Sequence, residues 1–250
     1  MVSATVPFQV AIVALAALTA TPGVDAHGVL SKPGPAFAGT AYAGGYSAAI
    51  PMSAMPAVAP DVYGPSNSWA DVFGNAFKKS KYKSLREFFM KNQDMSQGVK
   101  SGNPSTAECG FTAPDKQTAQ PLPDNIEWYG GGQNHPGPCE AWCDNEIVLP
   151  FTANCQAAFP KGIMAYDKAK CVGKNRLSFY WMATLNQWQV YIDCVKIGNG
   201  AAVAFDASVG AGSSGSSGST ATNATTPATT PAPAAAKTTK PTSKCNIKRD

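Results

Sequence analysis

The chain has 250 residues, of which 44% are hydrophobic and 14% charged, with a formal net charge of +4. That length and apolar fraction suffice for a packed core and exclude a wholly disordered chain. Residues 27–208 hold 15 basic and 14 acidic side chains and residues 209–250 hold 5 and 1, so only local patches of the main body could attract a polyanion.

Residues 1–26 read as a secretory signal. An apolar run from Phe8 to Leu18 is followed by Pro22 and Gly23, then by the small residues Val24 and Ala26. The run is shorter than the roughly 20 apolar residues that span a bilayer, and no later segment is a candidate. Secretion and no membrane association after cleavage are therefore expected. A cut after Ala26 makes His27 the first residue, offering its imidazole and its free α-amine to one metal ion.

From His27 to about Phe77 the sequence is rich in Gly, Ala and Pro, punctuated by Tyr42, Tyr46 and Tyr63. It predicts a short strand near Val29 and then a long loop, of the kind that is usually functional in a compact domain. Residues 66–97 are the one predicted helical region. Ser68 with Asp71, and Ser84 with Glu87, fit capping boxes, and Leu85, Phe88 and Phe89 form an apolar stripe at helical spacing. The other face is basic, with Lys78, Lys79, Lys81, Lys83, Arg86 and Lys91, and with Lys100 beyond. It is either a solvated helix face or a surface for an anionic polymer.

Beyond Cys109 the pattern changes to β. The segments 126–129, 146–151, 177–182 and 188–197 are rich in β-branched and aromatic residues and are separated by Gly, Pro and Asn clusters. Short strands, long loops and cysteines together predict a mainly β fold, an antiparallel β-sandwich with a short helical insertion. Of the seven cysteines, six lie between Cys109 and Cys194. In a secreted chain they predict three disulfides whose pairing the sequence leaves open; Cys245 is the odd one out. Cys139 and Cys143 lack a matching second pair, which argues against zinc. Residues 207–250 form a Ser/Thr/Pro-rich, O-glycosylated linker with a basic end and one N-glycosylation sequon at Asn223. The expected organisation is a signal at 1–26, a sandwich domain at 27–206 and a tail at 207–250.

The chain has two histidines, His27 and His135. His135 sits in Gly130-Gly131-Gly132-Gln133-Asn134-His135-Pro136-Gly137-Pro138, where glycines free the backbone and prolines then fix it. The α-amine and ring of His27 with the ring of His135 would give three nitrogen donors, a set that favours Cu(II). On the strand 188–197, alternation puts Gln189, Tyr191 and Asp193 on one face and Trp188, Val190, Ile192 and Cys194 on the other.

An N-terminal histidine behind a signal, a second in a Gly/Pro-rich loop, and Gln189-Val190-Tyr191 with Cys194 together resemble the lytic polysaccharide monooxygenases. The cysteine-rich middle, the His-Pro-Gly-Pro-Cys loop and the Ser/Thr/Pro tail look most like the secreted pectin-active members of oomycete plant pathogens. The resemblance covers roughly residues 27–197. It implies an immunoglobulin-like (fibronectin III-like), disulfide-stapled sandwich and one copper ion held by His27 and His135. Tyr191 would be the axial ligand and Gln189 would position the oxygen species. It further implies hydrogen abstraction beside a glycosidic bond by a monomeric enzyme using O2 or H2O2 and an external electron donor. Pectin (homogalacturonan) is the expected substrate, with Lys78, Lys79, Lys81 and Lys83 available to its carboxylates and no nucleic acid as partner. Cellulose or chitin is the alternative, with Tyr42, Tyr46 and Trp128 as stacking platforms.

Two other readings compete: a non-catalytic copper carrier sharing the brace, to which Met52 and Met55 would contribute, and a metal-free wall-binding protein. A hydrolase is disfavoured, because Asp124, Glu127, Glu140 and Asp144 single out no catalytic pair by their spacing.

Overall fold

In the computed structural model the described residues are 28–39, 45–55, 68–99, 103–128, 133–185, 187–201, 203, 204 and 206. The expected signal, His27, Tyr42, Tyr63, Lys100, Cys245 and the tail beyond residue 206 lie outside them. The elements are, in order, β1 (Leu30–Lys32), β2 (Ala48–Ile50), α1 (Ser68–Lys78), α2 (Leu85–Asn92), β3 (Asn125–Trp128), β4 (Cys139–Cys143), β5 (Glu146–Thr152), α3 (Cys155–Ala158), β6 (Ile163–Ala165), β7 (Arg176–Thr184) and β8 (Trp188–Lys196). They form a mainly β sandwich of two antiparallel sheets, ordered β1-β3-β6 and β2-β8-β7-β4-β5.

The five-stranded sheet is covered on both faces, so β7 is buried along its whole length. On one face Trp142, Tyr180, Met182, Trp188, Val190, Ile192 and Cys194 pack against Phe73, Phe77, Leu85, Phe88 and Phe89 of the two long helices. On the other, Ala141, Phe179, Trp181, Tyr191 and Val195 meet Leu30, Ile126, Trp128 and Met164 of the smaller sheet. This is the expected period-2 division of β8, extended to its neighbour β7.

The four aromatic-rich segments all become strands. Those at β2, β4 and β6 were not expected: β4 is Cys-Glu-Ala-Trp-Cys, a composition with little strand preference, and it is held by partners on both sides. The four-residue α3, capped by the Asn154 side chain, is a further addition to the one helical region expected.

The expected cap of α2 is present, with the Glu87 amide donating to Ser84 Oγ at 3.0 Å. The Glu87 carboxylate, however, accepts from the Lys83 amide, one residue before the cap. The amides of Leu85 and Arg86 donate to the buried Glu140 carboxylate of β4. The first turn of α2 is thereby satisfied from two directions, and the helix is fastened to the sheet.

Arg86 departs from the expected basic face. It is fully buried, with its guanidinium 3.6 Å from the Trp142 ring centroid and donating to the carbonyls of Asp144 and Asp206. Arg176 likewise holds the Val203 carbonyl at 2.9 Å. Three disulfides, Cys109–Cys194, Cys139–Cys155 and Cys143–Cys171, select one pairing from those the sequence left open.

Candidate metal centre

Tyr191 is the centre of the described part of the site. Its ring is 4% exposed, 4.5 Å from that of Trp181 and edge-on to Tyr46 at 6.4 Å. Its hydroxyl donates to Gln189 Oε1 at 3.1 Å, so the two side chains that alternation put on one face also bond to each other. Tyr46 reaches beyond the strand, its hydroxyl donating to Gln187 Oε1 at 3.4 Å.

The start of β1 comes to the same place. Gly28 and Val29 line a small cavity with Tyr191 and Asp193. Asp193 fixes this approach by accepting the Leu30 amide at 2.8 Å. Burial pushes the Asp193 carboxyl up to about 7, with the Leu30 hydrogen bond pulling the other way. Gly28 lies flat against Trp128, whose indole fills the space a Cβ at position 28 would need. Trp128 is 3% exposed and packs against Trp181 and Phe179. It is a floor beneath Gly28, which corrects the expectation that it could be an exposed stacking platform.

The His135 loop is fastened to the end of β7. The Pro136 carbonyl accepts from both the amide and the hydroxyl of Thr184, at 3.0 and 2.9 Å, and Met182 donates to the Pro138 carbonyl. Gly137 permits this approach, since a Cβ there would strike the Met182 carbonyl. Ala183, between these anchor points, is paired with Gln189 across the hairpin. Gln133 contacts Met164 of β6, so the loop starts on the Tyr191 side of the sheet. His135 itself is half-buried.

The structure thus brings the start of β1, the His135 loop and Gln189–Tyr191 to one end of the sandwich. It does not bring the lysines there. Lys78, Lys79, Lys81 and Lys83 are exposed in and after the last turn of α1. There Phe77 stacks on Phe151 of β5 at 4.4 Å, and the helices cover the sheet face opposite Tyr191. Lys91 is paired with Glu87 at 2.6 Å.

The donor types would suit one copper ion, with two imidazoles and an amine to come from His27 and His135 and a phenol from Tyr191, which lines a cavity with Gly28. Among the described residues no group of three His, Cys, Asp or Glu side chains could hold a metal. Cys139 and Cys143 are taken up in disulfides. The four carboxylates weighed for hydrolysis all have other partners. Asp124 and Glu127 pair with Lys168 and Lys32, and Glu140 and Asp144 accept backbone amides.

The sequence reading missed Trp181, which packs on Tyr191, and the anchoring part of Asp193. A carboxylate on the inward face of a strand is the signal that could have marked the latter. No protein-family model matches the chain, and no curated protein matches it. No helix among the described residues is long and apolar enough to cross a membrane.

Proposed function

We propose that the chain, once cut after Ala26, is a secreted copper-dependent polysaccharide monooxygenase. The observation that carries this reading is the meeting of Gly28 with Tyr191 in one cavity while the His135 loop is fastened beside Gln189. His27 and His135 would hold the copper and Tyr191 would complete the set. Copper bound there supplies one-electron chemistry toward O2 or H2O2, and with it hydrogen abstraction beside a glycosidic bond.

The chain's own residues set the conditions. Trp181 and Tyr46 pack against the Tyr191 ring and hold it in place. Gln189 accepts the Tyr191 hydroxyl through its carboxamide oxygen, which leaves its NH2 to donate to an oxygen species. The His27 amine, with an ordinary value near 8, must lose its proton to bind metal, so copper affinity falls in acid. Asp193 orients the segment leading to that amine by holding the Leu30 amide.

Pectin is the proposed substrate. Tyr46, the one described aromatic beside Tyr191 that is only half-buried, favours a neutral flat polymer instead and keeps cellulose and chitin in the test. The secreted protein is incubated with copper and ascorbate on homogalacturonan, cellulose and chitin, and products are read by mass spectrometry. Oxidised fragments are expected from the wild type and none from His27→Ala or His135→Ala. Copper- and reductant-dependent cleavage by either variant overturns the reading. Copper binding by the wild type without oxidised products from any polymer favours the carrier.

A further inference from the structure

The chain from residue 78 to 84 alternates with unusual regularity. Lys79, Lys81 and Lys83 are exposed, while Ser80 and Tyr82 are half-buried and Ser84 is buried. Each inward residue is fastened. Ser80 Oγ donates to the Phe77 carbonyl and accepts the Tyr82 amide. The Tyr82 ring lies edge-on to Phe88 at 5.0 Å and its hydroxyl bonds Asn92. Ser84 caps α2. The lysines therefore project from a fixed backbone, successive ones at most about 7 Å apart along the chain, and Lys78 adds a fourth charge at the end of α1.

Helix stability does not account for this row. Lys78 and Lys79 suit the C-terminal end of α1, but Lys81 and Lys83 stand just before the N-terminus of α2, where positive charge opposes the helix dipole. Nor are the four ammonium groups held in ion pairs among the described residues, although the Lys83 charge helps to lower the nearby Glu87 carboxyl and the Lys81 ammonium stands 5.6 Å from the Tyr82 ring centroid. Lys32, Lys91, Lys168, Lys170 and Lys174 each lie within ion-pair distance of a carboxylate, whereas none of these four does among the described residues.

The neighbourhood selects the kind of anion. Both described arginines, Arg86 and Arg176, are buried, so no guanidinium fork is offered to phosphate. Tyr82 is turned inward and cannot stack a base. Among the described residues the exposed large apolar side chains, Ile163, Val172 and Val203, lie on other elements, so none of them stands beside the lysines to enter a lipid surface. A linear chain of regularly spaced carboxylates matches a row of ammonium groups.

We infer that Lys78, Lys79, Lys81 and Lys83 form a second binding surface, apart from the metal centre, for a carboxylated polysaccharide of the polyuronate class. The choice of polymer leans on the proposed substrate; the surface itself needs no copper. Because the lysines lie across the sheet from Tyr191, the strand they grip is a neighbour of the strand presented to the metal.

The test is affinity electrophoresis of the full secreted chain in gels containing polygalacturonate or its fully methyl-esterified form. Retardation by polygalacturonate alone is expected, weakening as salt rises from about 0.05 to about 0.5 M. The triple variant Lys79→Ala/Lys81→Ala/Lys83→Ala should bind about tenfold more weakly, and the corresponding Lys→Arg triple should bind nearly as the wild type. Lys161→Ala/Lys170→Ala/Lys174→Ala, with the same loss of charge elsewhere, should keep wild-type binding. Undiminished binding by the first triple, equal weakening by the control, or equal retardation by the esterified polymer overturns the inference. So does tighter binding to single-stranded RNA or anionic vesicles at the same salt. His135→Ala should bind polygalacturonate as the wild type does. Binding that persists where oxidised products never form separates a failed copper reading from a failed lysine surface.

Discussion

Glu87 is subject to opposing influences. Burial raises its carboxyl, but the Lys83 amide and the Lys91 ammonium outweigh burial and hold it below the ordinary glutamate value. A folded-state value below the unfolded one contributes stability above roughly pH 4.5, and that contribution disappears as pH falls through the folded value. Glu87→Gln should therefore lower stability at pH 7 by at most about 1 kcal/mol and leave it unchanged at an acid pH where the carboxyl is protonated in the folded state. Denaturant unfolding at both pH values measures the difference. A variant penalty that persists in acid would show that shape, not charge, matters at this position. Ser84 and Glu87 were legible because a cap is written within four residues. Gly28 was legible only as part of a cleavage site, since its contact with Trp128 joins residues a hundred positions apart.

At the scale of the element, α2 depends on a carboxylate it does not carry. Glu140 of β4 accepts the amides of Leu85 and Arg86 and the indole N–H of Trp142, beside the Arg86 guanidinium. Glu140→Ala leaves those buried donors without an acceptor and Arg86 without its nearby countercharge, and should cost about 3–5 kcal/mol. Thermal unfolding should show a correspondingly large fall in midpoint, with Glu140→Gln intermediate. An alanine variant as stable as wild type would mean that water replaces the carboxylate. The strands β5, β7 and β8 were readable because β-branched and aromatic residues crowd them. The strand β4 was not, because its pairing on both edges, rather than its own residues, makes it a strand. Of the expected basic helix face, Lys78 and Lys91 are exposed on helices, Lys79, Lys81 and Lys83 are exposed but lie between α1 and α2, and Arg86 is buried, because a helical wheel shows which side of a helix a residue occupies and neither where the helix ends nor what covers that side.

For the whole molecule, the disulfides tie regions that the sheets alone leave apart. Cys109–Cys194 closes 85 residues, Cys143–Cys171 closes 28 and Cys139–Cys155 closes 16. Loop-closure entropy makes the first worth about 4.5 kcal/mol and the last about 3. Paired Cys→Ala variants should lose stability in that order, as measured by the denaturant midpoint. Equal losses would point to local packing in place of chain entropy. The sandwich was legible as a class because strand patterns and cysteines agree. The convergence at Tyr191 was legible only in part: alternation put Gln189 and Tyr191 together, whereas the Pro136–Thr184 clamp and the Asp193–Leu30 bond are tertiary facts with no local signature.

The two-sided burial of the five-stranded sheet binds the two halves of the molecule to a single parity. Even-numbered positions of β8 from Trp188 to Cys194 belong to the helical layer, and the odd-numbered positions Tyr191 and Val195 belong to the layer between the sheets. One residue gained or lost within the strand would send Tyr191 under the helices and bring Val190 or Ile192 toward Gly28, destroying core and candidate centre together. Divergence of the chain can therefore reshape the loops at either end of β8 freely, but the strand itself can change only by substitution or by two residues at a time.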